Sequence, residues 1–198
     1  MIAINSALPR RVDNRRQALV DAAAHRFGDR GFQATSMREL AKAVGMLPGS
    51  VYYHFPSKDE LLVEVYRQGV ERICRTVQTA VASRCDPWER LEAGCAAHLE
   101  SLLDGSDYVR VVIRVLPKDA PRVQAELDVL RHSYETVFRE LVSDLRLAVP
   151  AETHYLRLFL LGAMNWAHIW YRPDRDSPHT IARQLLTLVH DSSRPHPA

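Results

Sequence analysis

Apolar residues return along this chain at intervals of three and four, and nowhere at the strict alternation of a half-buried strand. Leu19, Ala23 and Phe27 mark the inner face of a first helix, which the pattern starts near Asn14 and Gly31 ends. Ser36 with Glu39, and Ser57 with Glu60, set a hydroxyl and a carboxylate three residues apart, the spacing that satisfies the orphan amides of a helix start. The first pair opens a short helix over Met37–Val44, closed by Gly45. The second opens a long helix with Leu61, Val65, Ile73 and Val77 on one face. Asp86-Pro87-Trp88-Glu89 is a third capping box, with proline at the first helical position.

Ser106 starts a further segment that Pro117 cuts off. Val123, Leu127, Leu130, Tyr134, Val137, Leu141 and Leu145 then alternate spacings of four and three along a long amphipathic helix. An apolar helix is expected at about 152–171, and Pro173 and Pro178 break the chain before a last helix ending near His190. The chain therefore reads as all-α, with about nine helices.

Between Gly45 and Ser57 stand eleven residues, MLPGSVYYHFP, the spacing of a helix-turn-helix. Val51 and Phe55 form an i, i+4 pair that should face Leu40 and Val44. Pro48, Gly49, Ser50, Tyr52, Tyr53 and His54 are left on the outer circumference. Small residues at the helix start permit close approach, and backbone amides, aromatic hydroxyls, imidazole and Lys58 suit phosphate oxygens.

The wider string TSMRELAKAVG…GSVYYHFPSKDEL, preceded by AAAHRFGDRGFQAT, resembles the DNA-binding domain of the TetR family of transcriptional regulators. The resemblance runs from about Arg15 to Leu62 and includes Phe27, Gly31, Phe32, Thr35, Tyr52, Phe55, Ser57 and Lys58. It implies that Thr35 and Ser36 contact phosphates, and that Pro48, Gly49 and Ser50 open a recognition helix lying against base edges or the adjoining backbone. Tyr52, Tyr53, His54 and Lys58 would then clamp phosphates of double-stranded operator DNA. One departure is Leu47, where the family often carries a capping serine or threonine. Arg10, Arg11, Arg15 and Arg16 have two readings, phosphate or minor-groove contacts, or a solvated arm.

The same resemblance implies homodimerisation through the last two long helices. Leu158, Gly162, Trp166 and Ile169 of the first, with Ile181, Leu185 and Leu188 of the second, are the expected interface; the alternative is that they are core of a monomer. The intervening helices, about 86–147, should enclose a small-molecule effector. LFLLGAMNWAHIWYRPD and VRVVIRVLPKDAPRV are similar to segments of the TetR branch that senses acyl-CoA thioesters, including fatty-acid and steroid-ring degradation regulators. Arg110 and Arg114, one helical turn apart, would meet coenzyme A phosphates, with Lys118 and Arg122 further along. Asn165, Trp166 and His168 would line the cavity. The other reading of the cations is surface pairing with Asp107, Asp119 or Glu126.

The chain thus divides into a basic flexible arm (1–13), a helix-turn-helix domain (14–57), an effector-binding and dimerisation domain (58–190) and a tail (191–198). Charge agrees with that division. Net charge is only +2, but residues 1–60 carry 9 Lys/Arg against 6 Asp/Glu, and residues 61–198 carry 17 against 18. Hydrophobic residues at 46% and charged residues at 25% are ordinary for a globular chain.

The most apolar run, Leu158–Tyr171, holds 14 residues including Asn165 and His168, short of the ~20 needed to cross a bilayer. No secretory leader is read. With Cys74, Cys85 and Cys95 odd in number and without CxxC spacing, the expectation is a reduced, cytoplasmic chain. A redox switch through these cysteines is the rival mode of regulation. No GxSxG, HExxH or phosphate-loop motif occurs, and the nine histidines are scattered, so no enzyme, cofactor or metal site is expected.

Overall fold

The computed structural model describes residues 7–147 and 150–192, with side chains for 14–147 and 153–190. Residues 1–6 of the expected arm and 193–198 of the expected tail lie outside the described residues. The elements are α1 (Ala7–Arg30), α2 (Met37–Ala43), α3 (Pro48–His54), α4 (Lys58–Val81), α5 (Pro87–Leu103), α6 (Asp107–Arg114), α7 (Gln124–Ser143), α8 (Pro150–Asn165), α9 (Ala167–Trp170) and α10 (Pro178–Ser192). Two 3-10 turns, Pro117–Asp119 and Pro121–Val123, join α6 to α7. Among the described residues there is no strand, and counting α8 and α9 as one interrupted helix the ten segments make nine.

The first helix begins at Ala7, ahead of the expected Asn14, so the second half of the supposed arm is helical. At α2 the cap closes in both directions: Ser36 Oγ accepts from the Glu39 amide, and the Glu39 carboxylate accepts from the Ser36 amide at 2.8 Å. The Ser36 hydroxyl and then the Ser36 amide, both donating to the Glu39 carboxylate, hold that carboxyl below its ordinary range. The other two boxes are only half made. Ser57 accepts from the Glu60 amide and Asp86 from the Trp88 and Glu89 amides, but neither glutamate side chain returns the bond. Ser106 caps α6 without using its hydroxyl.

α4 is the spine, packing against α1, α5, α6 and α7, and α10 lies along α5. Its approach to α6 is at backbone contact. A Cβ at Gly69 would sit 2.7 Å from the Tyr108 carbonyl oxygen and 2.6 Å from Val112 Cγ2, so a larger residue there would drive the two helices apart.

The expected single helix over 152–171 is interrupted at Trp166. In a continuous helix the Asn165 carbonyl would accept from the Ile169 amide. Here His168 Nδ1 lies 2.7 Å from that carbonyl, and the Ile169 amide donates to the Trp166 carbonyl at 3.0 Å instead. A side chain inserted into the ladder breaks the helix.

Candidate nucleic-acid interface and effector cavity

The turn between α2 and α3 follows from Gly45, whose φ of +64° is a conformation that favours glycine, and from Met46 donating to the Ala41 carbonyl at 2.8 Å. Val51 is fully buried beside Leu40, which fixes the rotation of α3 about its axis. Phe55 is buried as well, although it lies one residue past the helix in an extended conformation. Pro48, Gly49, Ser50, Tyr52 and Tyr53 consequently face outward, with His54 half-buried and edge-on to Tyr53. Tyr53 is 82% exposed, unusual for so large a ring unless something else covers it. Nothing stands within 4 Å of a Cβ placed on Gly49, so another backbone could approach it closely. No side chain caps the start of α3 at Leu47.

Two expected phosphate contacts take different positions. Thr35 is buried, and its hydroxyl donates to the Gly31 carbonyl at 3.1 Å, so this side chain shapes the loop and does not reach the surface. Lys58 donates to the Phe32 and Thr35 carbonyls, each at 2.9 Å, and stands 4.3 Å over the Phe32 ring. Of its three N–H groups only one remains for a phosphate. Lys58 is a clasp between α4 and the α1–α2 loop. Ser36 is exposed, with its hydroxyl engaged by Glu39.

Arg16 is likewise structural. It lies 4.6 Å over the Phe55 ring and pairs with Glu64 at 3.3 Å. Burial works to raise Glu64, but hydrogen bonds from Arg67, Gln68 and Arg16 outweigh it and hold the carboxyl at about 2. Arg15 is exposed, and the side chains of Arg10 and Arg11 lie outside those described. The outward cations Arg38 and Lys42, one helical turn apart on α2, were not singled out from the sequence; the i, i+4 spacing behind the Ser36 cap was the available signal.

In the helices beyond, two adjoining cavities open. The larger, about 350 Å³, is walled by Tyr66 of α4, Val112, Ile113 and Arg114 of α6, Leu116 of the α6–α7 connection, Arg131 and Tyr134 of α7, and Gly162, Asn165, Trp166 and His168 around the α8–α9 break. The smaller, about 220 Å³, is bounded by Leu102, Leu103, Gly105, Ser106 and Arg110, and shares Ile113, Arg114 and His168 with the first. All five residues expected at the effector thus line one cavity or both. Neither lining contains an aspartate or glutamate, whereas Arg110, Arg114 and Arg131 are cations. The charged side chains of the two linings are therefore all cationic, with the carboxylates that pair with two of them outside the linings.

The arginines differ in their commitments. Arg110 is paired with Asp107 at 3.0 Å, as the surface-pairing reading has it, and Arg131 approaches Glu135 at 3.3 Å. Arg114 donates to the Gly28 carbonyl at 3.0 Å. Further along, Arg122 meets Asp59 at 3.9 Å and Lys118 is exposed.

A polar group missed from the sequence lies behind the wall. His98 is fully buried, with Nε2 3.0 Å from Asn165 Oδ1 and Nδ1 3.2 Å from the Tyr134 hydroxyl. Burial pushes the imidazole down to about 4, so it is neutral at pH 7. A neutral ring fits its partners: Nε2–H donates to Asn165, and the Tyr134 hydroxyl donates to Nδ1. The only sequence signal was a histidine among apolar neighbours on α5, which a periodicity reading counts as core.

An apolar face runs down the outside of α8 and α9 at helical spacing: Tyr155, Leu158, Phe159, Trp166, Ile169 and Trp170 are all exposed, with Gly162 between them. Leu188 of α10 is exposed and Leu185 half-buried. Ile181 departs from the expectation; at 8% exposure it packs with Ala182 and Leu186 in the chain's own core and is unavailable to a partner. Trp166 belongs both to this face and to the cavity wall.

The cysteines offer little to a redox switch. Cys85 is exposed, but Cys95 is fully buried, and burial pushes its thiol up to about 12, far from the reactive thiolate. Among the described residues no group of three potential ligands is placed to hold a metal ion, and no helix is long and apolar enough to cross a membrane.

Comparison with known proteins bears on both regions. A family model for bacterial regulatory proteins, tetR family, matches residues 19–65, and one for a tetracyclin repressor-like C-terminal domain matches residues 84–192. The chain is 30% identical over 193 residues to the HTH-type transcriptional repressor KstR2 of Rhodococcus jostii, covering 92% of this chain and 93% of that protein. It is also 30% identical over 172 residues to the HTH-type transcriptional activator FasR of Mycolicibacterium smegmatis, covering 85% and 76%. The crystal structure of AibR in complex with isovaleryl coenzyme A and operator DNA has a TM-score of 0.76 at 26% identity, over 88% of this chain and 97% of that one.

Proposed function

The chain belongs to the TetR family of bacterial regulatory proteins, DNA-binding transcription regulators and not enzymes, and on that premise we propose that it is a homodimeric one-component repressor released from its operator by an acyl-CoA thioester. Residues 14–57 serve as the DNA-binding unit and 58–190 as the effector and dimerisation unit, acting in the cytoplasm where the operator is. Exposed Ser50, Tyr52 and Tyr53 on α3 would meet a major groove. The apolar face of α8 and α9, with Leu185 and Leu188, would pair with its two-fold mate. Such a dimer holds two recognition helices about 34–36 Å apart, one turn of DNA, and reads a pseudo-palindrome.

One observation carries the effector: two cavities that share Ile113, Arg114 and His168 in their walls, lined by arginines and by no carboxylate residue. The larger lies within the ~300–1,000 Å³ usual for small-molecule sites. A coenzyme A thioester has the matching division, with phosphates for Arg110 and Arg114 and an acyl group for the compartment between Tyr66, Val112, Tyr134 and Trp166. AibR, crystallised with isovaleryl coenzyme A and operator DNA, supports the class. Coupling follows from α4 and α6. The Gly69 backbone packs directly on the Tyr108 backbone and the Val112 side chain, so a ligand that displaces α6 also displaces the helix that enters the DNA-binding unit. A differential affinity of about 1–3 kcal/mol between the two states is sufficient for regulation.

A thermal-shift screen against acyl-CoA thioesters, the matching free acids and free coenzyme A tests the proposal. A thioester at 100 times its Kd adds about 2.7 kcal/mol of apparent stability. A panel without a single shift overturns the effector class and leaves family membership standing.

A further inference from the structure

Arg114 is the one side chain shared by both effector cavities and by a third hollow of about 550 Å³, which lies between the C-terminal end of α1 and the end of α6. Its guanidinium donates from Nη1 to the Gly28 carbonyl at 3.0 Å. That carbonyl is among the last four of α1, which have no partner within their own helix. Among the described residues no carboxylate forms a salt bridge with Arg114, which is exposed, so the Gly28 carbonyl takes one of its five N–H donors and the rest face solvent or the hollows. Arg110 differs, being held by Asp107 and by the Gly105 carbonyl.

We propose that Arg114 is a ligand-switched latch: it grips the Gly28 carbonyl in the DNA-binding state and leaves it for the anionic group of the effector. This rests on the effector reading above. A phosphate or carboxylate offers a guanidinium two parallel, charge-assisted hydrogen bonds, roughly twice as strong as the bond to a neutral carbonyl. An anion between Arg110, Arg114 and His168 therefore outcompetes Gly28. The seam it opens is narrow and polar. A Cβ on Gly28 would meet the Asp107 carbonyl oxygen at 3.2 Å, His25 lies 3.0 Å from Asp107, and Gln33 donates to the Asp119 carbonyl at 2.8 Å. Release at Gly28 frees the loop in which Thr35 and Lys58 hold the start of α2, and with it the placement of α3.

The test compares the full-length chain with its Arg114→Ala and Arg114→Lys variants. It reads amide hydrogen exchange over residues 28–36 and operator affinity, each with and without ligand. The probes are isovaleryl-CoA, free coenzyme A, the free acid and pyrophosphate, which separate a phosphate source of the anion from an acyl carboxylate. In the natural chain a bound anion raises exchange over 28–36 and lowers operator affinity about 5- to 150-fold. Arg114→Ala shows the raised exchange without ligand, and its operator affinity then changes less than about twofold on adding any probe that still binds. Arg114→Lys falls between the two. Unchanged exchange in ligand-free Arg114→Ala overturns the latch, as does an undiminished ligand response in that variant. A natural chain that binds pyrophosphate but no thioester sinks the effector class alone. One that binds none of the four probes sinks both.

Discussion

Between α1 and α3 the interior is closed: Leu19, Ala23, Phe27, Leu40 and Val51 have no exposed surface, and glycine or a capping serine fixes each turn. Between α5 and α9 the interior is left open around two cavities, with a neutral histidine behind the wall and a helix broken at its edge. The first region must present α3 in one rotation whatever the cell contains, and its core among α1, α2 and α3 is packed without a partner; the 550 Å³ hollow opens only at its edge, where the end of α1 meets α6. The second keeps open volume and an exposed apolar face. Its unfilled volume and uncovered apolar face are therefore informative about ligand and partner in a way that a finished core is not.

That contrast can be broken by substitution. The largest effect belongs to Phe27→Ala, which should remove about 3–5 kcal/mol of folding stability, read as a lower urea midpoint with the m-value unchanged. Trp166→Ala, at a residue 61% exposed in the protomer, should leave the N-terminal unit folded but weaken self-association by ~2 kcal/mol or more, measured by sedimentation equilibrium. If the assembly and the effector response both survive, the apolar face is not the dimer surface. Lys58→Ala should cost about 1–3 kcal/mol of stability as well as operator affinity, because it removes both carbonyl contacts. Tyr53→Ala should weaken operator binding by about 1 kcal/mol for every sequence tried, with an unchanged melting temperature. A lower melting temperature would make Tyr53 a packing residue.

The smallest effect at neutral pH comes from His98. The unfolded chain binds a proton there below about 6.5 and the folded chain only below about 4, so stability falls as pH drops through that window and is unaffected above it. His98→Gln should flatten this part of the profile. Glu64 acts lower down: its contribution is full above about 4.5 and is lost as pH falls toward 2. Urea midpoints from pH 7 to 3 separate the two, since Glu64→Gln lowers stability evenly above about pH 4.5 and changes the slope of the profile only at the acid end.

The same contrast explains what could be read in advance. The cap at Ser36, the turn at Gly45 and the burial of Val51 depend on residues within a few positions of one another, and sequence spacing reports them directly. Arg110, Arg114, Asn165, Trp166 and His168 were expected together from the family resemblance of their two segments, and the fold brings all five to cavity walls. His98 and Tyr134 were not, since each sits at a regular core position and its role comes from a helix 36 residues away. Lys58 and Thr35 have the residue types of phosphate ligands, and only the folded loop turns them inward. Ile181 has the periodicity of an interface residue, but the contact of α10 with α5 buries it.

The break at Trp166 has a consequence for dose response. One face of this indole borders the cavity while the rest lies on the exposed apolar face proposed above to meet a second protomer. In a dimer, whatever fills one protomer's cavity reshapes the seat of the other, so the two sites are not independent. Induction should then rise more steeply with effector concentration than a single hyperbola, with a Hill coefficient between one and two that falls to one in a variant that dimerises without Trp166.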